Sequence, residues 1–238
     1  MWWFAALHAN LLLLHRRAGG GNAAQPLLDA GCGTGGLLAR IAGAYPERAA
    51  VGLDAEPVAC RRAAAKSARP VCAGSVNTLP FADGAFGAIF SADVLCHRDA
   101  DEHAALGEFH RCLAEGGVLV LNLPAYGWLM SRHDQAVYNV RRYTRRGLVR
   151  LLEASGFRVI DASYWNVVLL PIMVLTRKLL PAGGAGSDVA IYPAPVEWLC
   201  RAATGFEHAL LRRGLRFPFG GSVIAVAAKR SIGEGAHD

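Results

Sequence analysis

Leu27-Leu28-Asp29-Ala30-Gly31-Cys32-Gly33-Thr34-Gly35-Gly36-Leu37-Leu38-Ala39-Arg40-Ile41-Ala42 (residues 27–42) sets the architecture of this chain. Pro26 to Ala30 reads as a short buried strand. Leu37, Leu38, Ile41 and Ala42 then recur at helical spacing, so the glycines between form a strand-to-helix turn. Such a turn lets a ligand approach the backbone and aims a helix N-terminus at it. Gly31, Gly33 and Gly36 have the G-x-G-x-x-G spacing of dinucleotide folds, and Asp54 lies near the ~20-residue offset of a ribose-binding acid.

Asp29 separates two ligand classes. A carboxylate two residues ahead of the first glycine would repel a pyrophosphate. S-adenosylmethionine carries no phosphate; its ammonium and sulfonium are attracted by an acid. The run D-A-G-C-G-T-G resembles the first motif of class I S-adenosylmethionine-dependent methyltransferases. Four more pieces are similar to one bacterial branch of the small-molecule (type 11) methyltransferases, often tied to lipid-linked sugar or surface-polysaccharide pathways. They are Trp2-Trp3-Phe4, the run H-D-Q-A-V-Y-N-V-R-R-Y-T-R over 133–145, Y-W-N-V-V-L-L-P over 164–171, and F-P-F-G-G-S-V-I-A-V-A-A-K over 217–229. The chain departs from that branch at Leu7, His8 and Asn139, and from the wider family at Ser75 and Gly87, where acids are usual.

The resemblance implies a Rossmann-like, seven-stranded, mostly parallel α/β sheet with the last strand antiparallel. It implies S-adenosylmethionine as cofactor, held by Asp29, Gly31, Cys32, Gly33, Gly35, Asp54, Ala55, Ser75, Val76, Asp93 and Val94. Asp54 closes the second strand, where it would take ribose hydroxyls; capping the following helix is the other reading. Ser75 stands where the family's adenine-binding acid sits.

The 238 residues suit one α/β domain. The 53% hydrophobic content is high, yet no run reaches the ~18 apolar residues of a spanning helix. Met1-Trp2-Trp3-Phe4 lacks a basic leader, so no signal peptide and a cytoplasmic location are expected. The six cysteines have no metal-ligand spacing, which implies reduced thiols and no metal. A net charge of +6 suits anionic partners, but no nucleic-acid motif accompanies it.

Along the chain, residues 2–17 read as a helix that either caps the pocket with Trp3 or packs across the sheet. Strands are expected at 49–54, 70–75, 86–93, 118–123, from 157, and at 222–229, with helices at 57–67, 99–114 and 143–155. Residues 165–220 form a long connection between the sixth and seventh strands, too long to be structureless. It contains an apolar run broken by Pro171, then Arg177-Lys178, a Gly-rich turn at 182–187, and a helix over 196–213. A helical lid is the leading reading, lining the acceptor site with Trp165, Val168, Leu169 and Met173. A peripheral membrane contact favoured by nearby arginines and a homodimer interface are the alternatives.

Methyl transfer needs alignment and water exclusion, with a base only where the acceptor must lose a proton. His97, His133, Asp134 and Tyr138 are the candidate bases, each with a structural alternative. Arg141, Arg142 and Tyr143 lie near the substrate edge, where the arginines could grip a phosphate or carboxylate or simply face solvent. The leading function is methyl transfer to oxygen or carbon of a hydrophobic or glycosylated small molecule. A non-catalytic cofactor-binding protein and a nicotinamide-dependent oxidoreductase are the rivals.

Overall fold

The computed structural model describes residues 1–175 and 193–230. The expected elements at 177–178 and 182–187 lie outside the described residues. Seven strands form one sheet: β1 (Leu27–Ala30), β2 (Ala50–Asp54), β3 (Val71–Ala73), β4 (Phe86–Ala92), β5 (Leu113–Pro124), β6 (Phe157–Trp165) and β7 (Ser222–Lys229). Their order is β3-β2-β1-β4-β5-β7-β6, with β7 antiparallel to both neighbours and the other pairs parallel. The helices are α1 (Trp2–Arg17), α2 (Gly36–Ala44), α3 (Pro57–Ser67), α4 (Glu102–Cys112), α5 (Arg132–Ala136), α6 (Arg145–Ala154), α7 (Leu170–Val174) and α8 (Ala194–Arg212). The expected Rossmann-like sheet is present.

The central strands are buried on both faces, as a sheet covered by helices requires, so β4 and β5 read as apolar runs rather than alternations. The boundaries around α4 move from the sequence expectation. The helix expected from Asp99 starts at Glu102, because Asp101 caps it by accepting the N–H groups of His103 and Ala104. It stops at Cys112 because Leu113 already pairs with Phe86, which extends β5 by five residues at its start, through Gly116 in the left-handed region.

Gly87 has a packing reason. A Cβ there would lie 1.9 Å from the Asn22 carbonyl oxygen. That linker carbonyl is held by Arg48, which also binds the Gly20 and Gln25 carbonyls. The position is at the start of β4, opposite to the edge where the cofactor turn lies. The loss of an acid at Gly87 therefore does not touch the binding edge.

α1 packs across the sheet on β5 and β7, and its other flank meets α8. The two helices run parallel: the Trp2 N–H reaches Glu197, Asn10 pairs with His208, and Arg17 donates to the Leu211 carbonyl. α8 thus lies alongside α1 from Glu197 to Leu211, as a layer helix within the 165–220 connection. Its inward face is polar, and Glu207 at 1% exposure accepts the N–H groups of Asn166 and Val168 at 2.7 and 2.8 Å. That carboxylate ties α8 to the chain leaving β6.

Candidate active site

Because β1, β2 and β4 are parallel, their ends bring Asp29, Asp54 and Asp93 to one edge of the sheet. The turn after β1 is tied to β2 by the Gly31 and Cys32 N–H groups, both donating to the Leu53 carbonyl at 2.7 and 2.9 Å. Gly31 has φ +80°, and a Cβ there would meet Val94 Cγ2 at 2.2 Å, so the loop after β4 presses directly on the turn. Gly33 differs. It has φ +52°, yet nothing lies within 4 Å of where its Cβ would be, so the turn presents bare backbone to open space.

Asp29 lies beneath this turn at 1% exposure, and its Oδ2 has no hydrogen-bond partner. Burial pushes its pKa up to about 7, against a hydrogen bond from the Leu38 backbone and with help from the Asp54 charge. A buried, unpartnered carboxyl oxygen is costly unless a donor or cation joins it. Asp54 is more accessible. Its Oδ2 accepts the Gly33 N–H at 2.8 Å, and its Oδ1 accepts the Glu56 N–H at 3.0 Å. It therefore braces the turn and the entry to α3, while its remaining lone pairs face the same edge. Ala55 follows it at the surface.

Ser75 accepts the Asn77 N–H on its Oγ at 3.1 Å, and Val76 is buried beside it. The hydroxyl in place of an acid thus caps a local turn. Cys32 packs against Gly52, and burial pushes its thiol up to about 12, which makes it a packing group. Gly35 abuts the α3 backbone at Ala63.

Asp93 takes φ +57° at the end of β4, and its N–H bonds the Asn122 carbonyl. Asn122 is the centre of a chain that the sequence reading missed. Its Nδ2 donates to Asp93 at 2.9 Å, and its Oδ1 accepts the Trp165 indole N–H at 2.8 Å. Burial raises the Asp93 carboxyl to about 7, opposed by the Asn122 hydrogen bond and the Arg142 charge. A polar residue closing the apolar run of β5 was the signal for Asn122. Trp165 is fully buried, with its ring tilted 32° to that of Trp3 at 6.0 Å, so it is a floor of this edge and not an exposed lining ring. Leu169 is buried, and Met173 packs at Gly221, where a Cβ would meet its Cε at 2.6 Å.

Several expected roles are corrected. Asp134 is fully buried; although its burial acts to raise its pKa, the Arg142 charge and the hydrogen bonds of Arg142 and Ser131 leave it below the usual range. It bonds Arg142 at 2.8 to 3.0 Å and caps α5 through Ser131, so it is a structural anion and not a base. Arg142 is engaged by that pair and by the Ala125 carbonyl. Arg141 donates to the carbonyls of Leu95, His97 and Ala100, which occupies its guanidinium with the loop after β4. Tyr143 donates to the Leu95 carbonyl and to Glu102. Together these three knit 133–143 to the loop that follows Asp93.

His97 and Tyr138 do come together there. Their rings lie 6.0 Å apart, His97 is 3.6 Å from Asp99, and Arg98 sits over the Tyr138 ring. Asn139, where the similar branch has histidine, accepts from the Cys96 thiol. His133 lies half-buried in α5. Among the described residues no group of His, Cys, Asp and Glu could hold a metal.

Residues 28–121 match the methyltransferase domain family. Over those residues the chain matches a class I S-adenosylmethionine-dependent methyltransferase family. The glycine turn, the paired acids and the strand order agree with that match. A malonyl-[acyl-carrier protein] O-methyltransferase of Dechloromonas aromatica is 39% identical over 141 residues, covering 57% of this chain and 52% of that protein. A 24-methylenesterol C-methyltransferase of Oryza sativa is 28% identical over 131 residues, covering 49% and 34%. The chain spans about half the length of the two malonyl-[acyl-carrier protein] relatives it matches. The geranyl diphosphate C-methyltransferase structure from Streptomyces coelicolor superposes with TM-score 0.58 at 16% identity, over 93% of this chain and 77% of that one, a likeness of fold.

The residues fit S-adenosylmethionine. Asp29 offers an unpartnered buried oxygen to a cation, Gly33 leaves the approach open, and Asp54 stands at the ribose offset.

Proposed function

We propose that this chain transfers a methyl group from S-adenosylmethionine to oxygen or carbon of a small hydrophobic acceptor. The single observation that carries the cofactor half is the unpartnered Oδ2 of Asp29 under an open glycine turn. Both oxygen and carbon methyltransferases stand among the relatives, which supports an acceptor class without choosing the atom.

S-adenosylmethionine supplies an electrophilic methyl on a positively charged leaving sulfur. The protein's task is to hold, align and keep water out. Asp29 and Asp54 hold charge and sugar. Asp93, fixed by Asn122, and Val94, wedged on Gly31, set the wall between turn and acceptor. Trp3 and Trp165 floor that edge with apolar surface. For an acceptor that must lose a proton, His97 is the base we assign, since it lies on the loop after β4, 3.6 Å from Asp99.

Calorimetry with S-adenosylmethionine and its demethylated product, followed by radiolabelled methyl transfer to hydroxyl, carboxyl and allylic acceptors, tests this. Binding plus transfer to one apolar acceptor is the expected result. No binding by folded protein overturns the cofactor assignment, and binding without transfer to any acceptor points to the non-catalytic alternative. His97→Ala should lower turnover by about a hundredfold with cofactor affinity intact, for an acceptor needing deprotonation.

A further inference from the structure

α8 is built inside out. Its buried side carries Thr204, Glu207 and Leu211, with Glu197 also turned inward at 16% side-chain exposure. Hydrogen bonds satisfy this polar face: Glu207 to the Asn166 and Val168 backbone, Thr204 to the Cys200 carbonyl, and His208 to Asn10. Its outward side carries Trp198 at 70%, Leu199 at 58% and Phe206 at 61% exposure, with Ala202 between them. At helical spacing these four share one stripe about 100° wide.

The charges are sorted as well. Glu207 is buried and Glu197 lies largely inward, 4.0 Å from Arg201, whereas Arg201 and Arg212 border the stripe and Arg213 follows its end, all three arginines exposed. An apolar stripe with Trp, Leu and Phe edged only by arginine is complementary to an apolar layer roofed by anions. A second copy of the same face is disfavoured, because an isologous contact would set these arginines against their own kind. No helix among the described residues is long and apolar enough to cross a membrane, so the contact is lateral.

We propose that the outward face of α8 seats on the surface of an anionic phospholipid bilayer, with Trp198, Leu199 and Phe206 in the headgroup boundary and the arginines on lipid phosphates. The proposal stands on the helix and does not need the methyl-transfer reading.

The test is co-sedimentation of the full chain with phosphatidylcholine–phosphatidylglycerol vesicles against phosphatidylcholine alone. Binding to the mixed vesicles, weakened by salt, is expected. Trp198→Ser with Phe206→Ser should lower partitioning at least about tenfold. Arg201→Gln with Arg213→Gln should lower it about fivefold per arginine on the mixed vesicles only. Circular dichroism and the unfolding midpoint confirm that each variant is folded, and the arginine pair keeps the test open if the apolar pair does not fold. Equal sedimentation with and without phosphatidylglycerol overturns the proposal. So does partitioning indifferent to both variant pairs, or a dimer that the apolar variant dissolves while the parent ignores vesicles.

Discussion

Asp29 is a buried acid that waits for a charge, and this gives it a measurable signature. The free carboxyl titrates at about 7, so below that pH a cation must first displace a proton. Affinity for S-adenosylmethionine should therefore rise with pH, by up to about tenfold per unit, and flatten above 7. Asp29→Asn should weaken binding at pH 8 by about ten- to a hundredfold and remove the slope; calorimetry across the range reads both. A second residue separates structure from chemistry. Asp134→Ala removes the carboxylate paired with Arg142, which is 3% exposed, and should cost about 3–5 kcal/mol in urea unfolding. If Asp134 were instead a base, turnover would collapse with stability unchanged. Asp29 and Asp54 were legible because their offsets from the glycines are fixed by strand length. The role of Asp134 was not, since which of two partners an acid finds depends on loops that no periodicity describes.

At the scale of elements, strands and helices were readable wherever one period ran uninterrupted: β7 and α3 fall where the sequence places them. α8 was readable as a helix but not in its orientation. The buried side is the polar one, because Glu207 and His208 find partners only across the fold. Glu207 thus substitutes for a hydrophobic seam. Glu207→Ala would leave the buried Asn166 N–H and the part-buried Val168 N–H without their carboxylate and should lower stability by about 2–4 kcal/mol. Chemical denaturation measures the loss, and hydrogen exchange should show 166–168 and α8 opening together. Glu207→Gln retains an acceptor and should recover part of it.

The whole molecule carries two opposed sets of buried titratable groups. Asp29 and Asp93 are raised from 3.8 to about 7, so between those values the folded chain holds protons the unfolded chain has released. Their contribution makes stability fall as pH rises through that window. His8 and His15 are lowered from 6.5 to about 4, first by burial and then by nearby arginines, so the unfolded chain takes protons that the folded one refuses. Their contribution makes stability fall as pH drops from 6.5 to 4. The two windows overlap almost completely, with two groups of each sign. Across pH 4 to 6.5 these four terms should nearly cancel, and between 6.5 and 7 the aspartates alone act. Asp29→Asn removes one member of the balance, since an amide does not titrate. The variant's stability should then rise with pH between 4 and 6.5 more steeply than the parent's, by up to about 1.4 kcal/mol per unit. Urea unfolding of both proteins at matched pH values measures that difference in slope. Parallel curves would mean that Asp29 is ionised in the folded chain at every pH tested, and that the vacant oxygen beneath the turn is already compensated before any cofactor arrives.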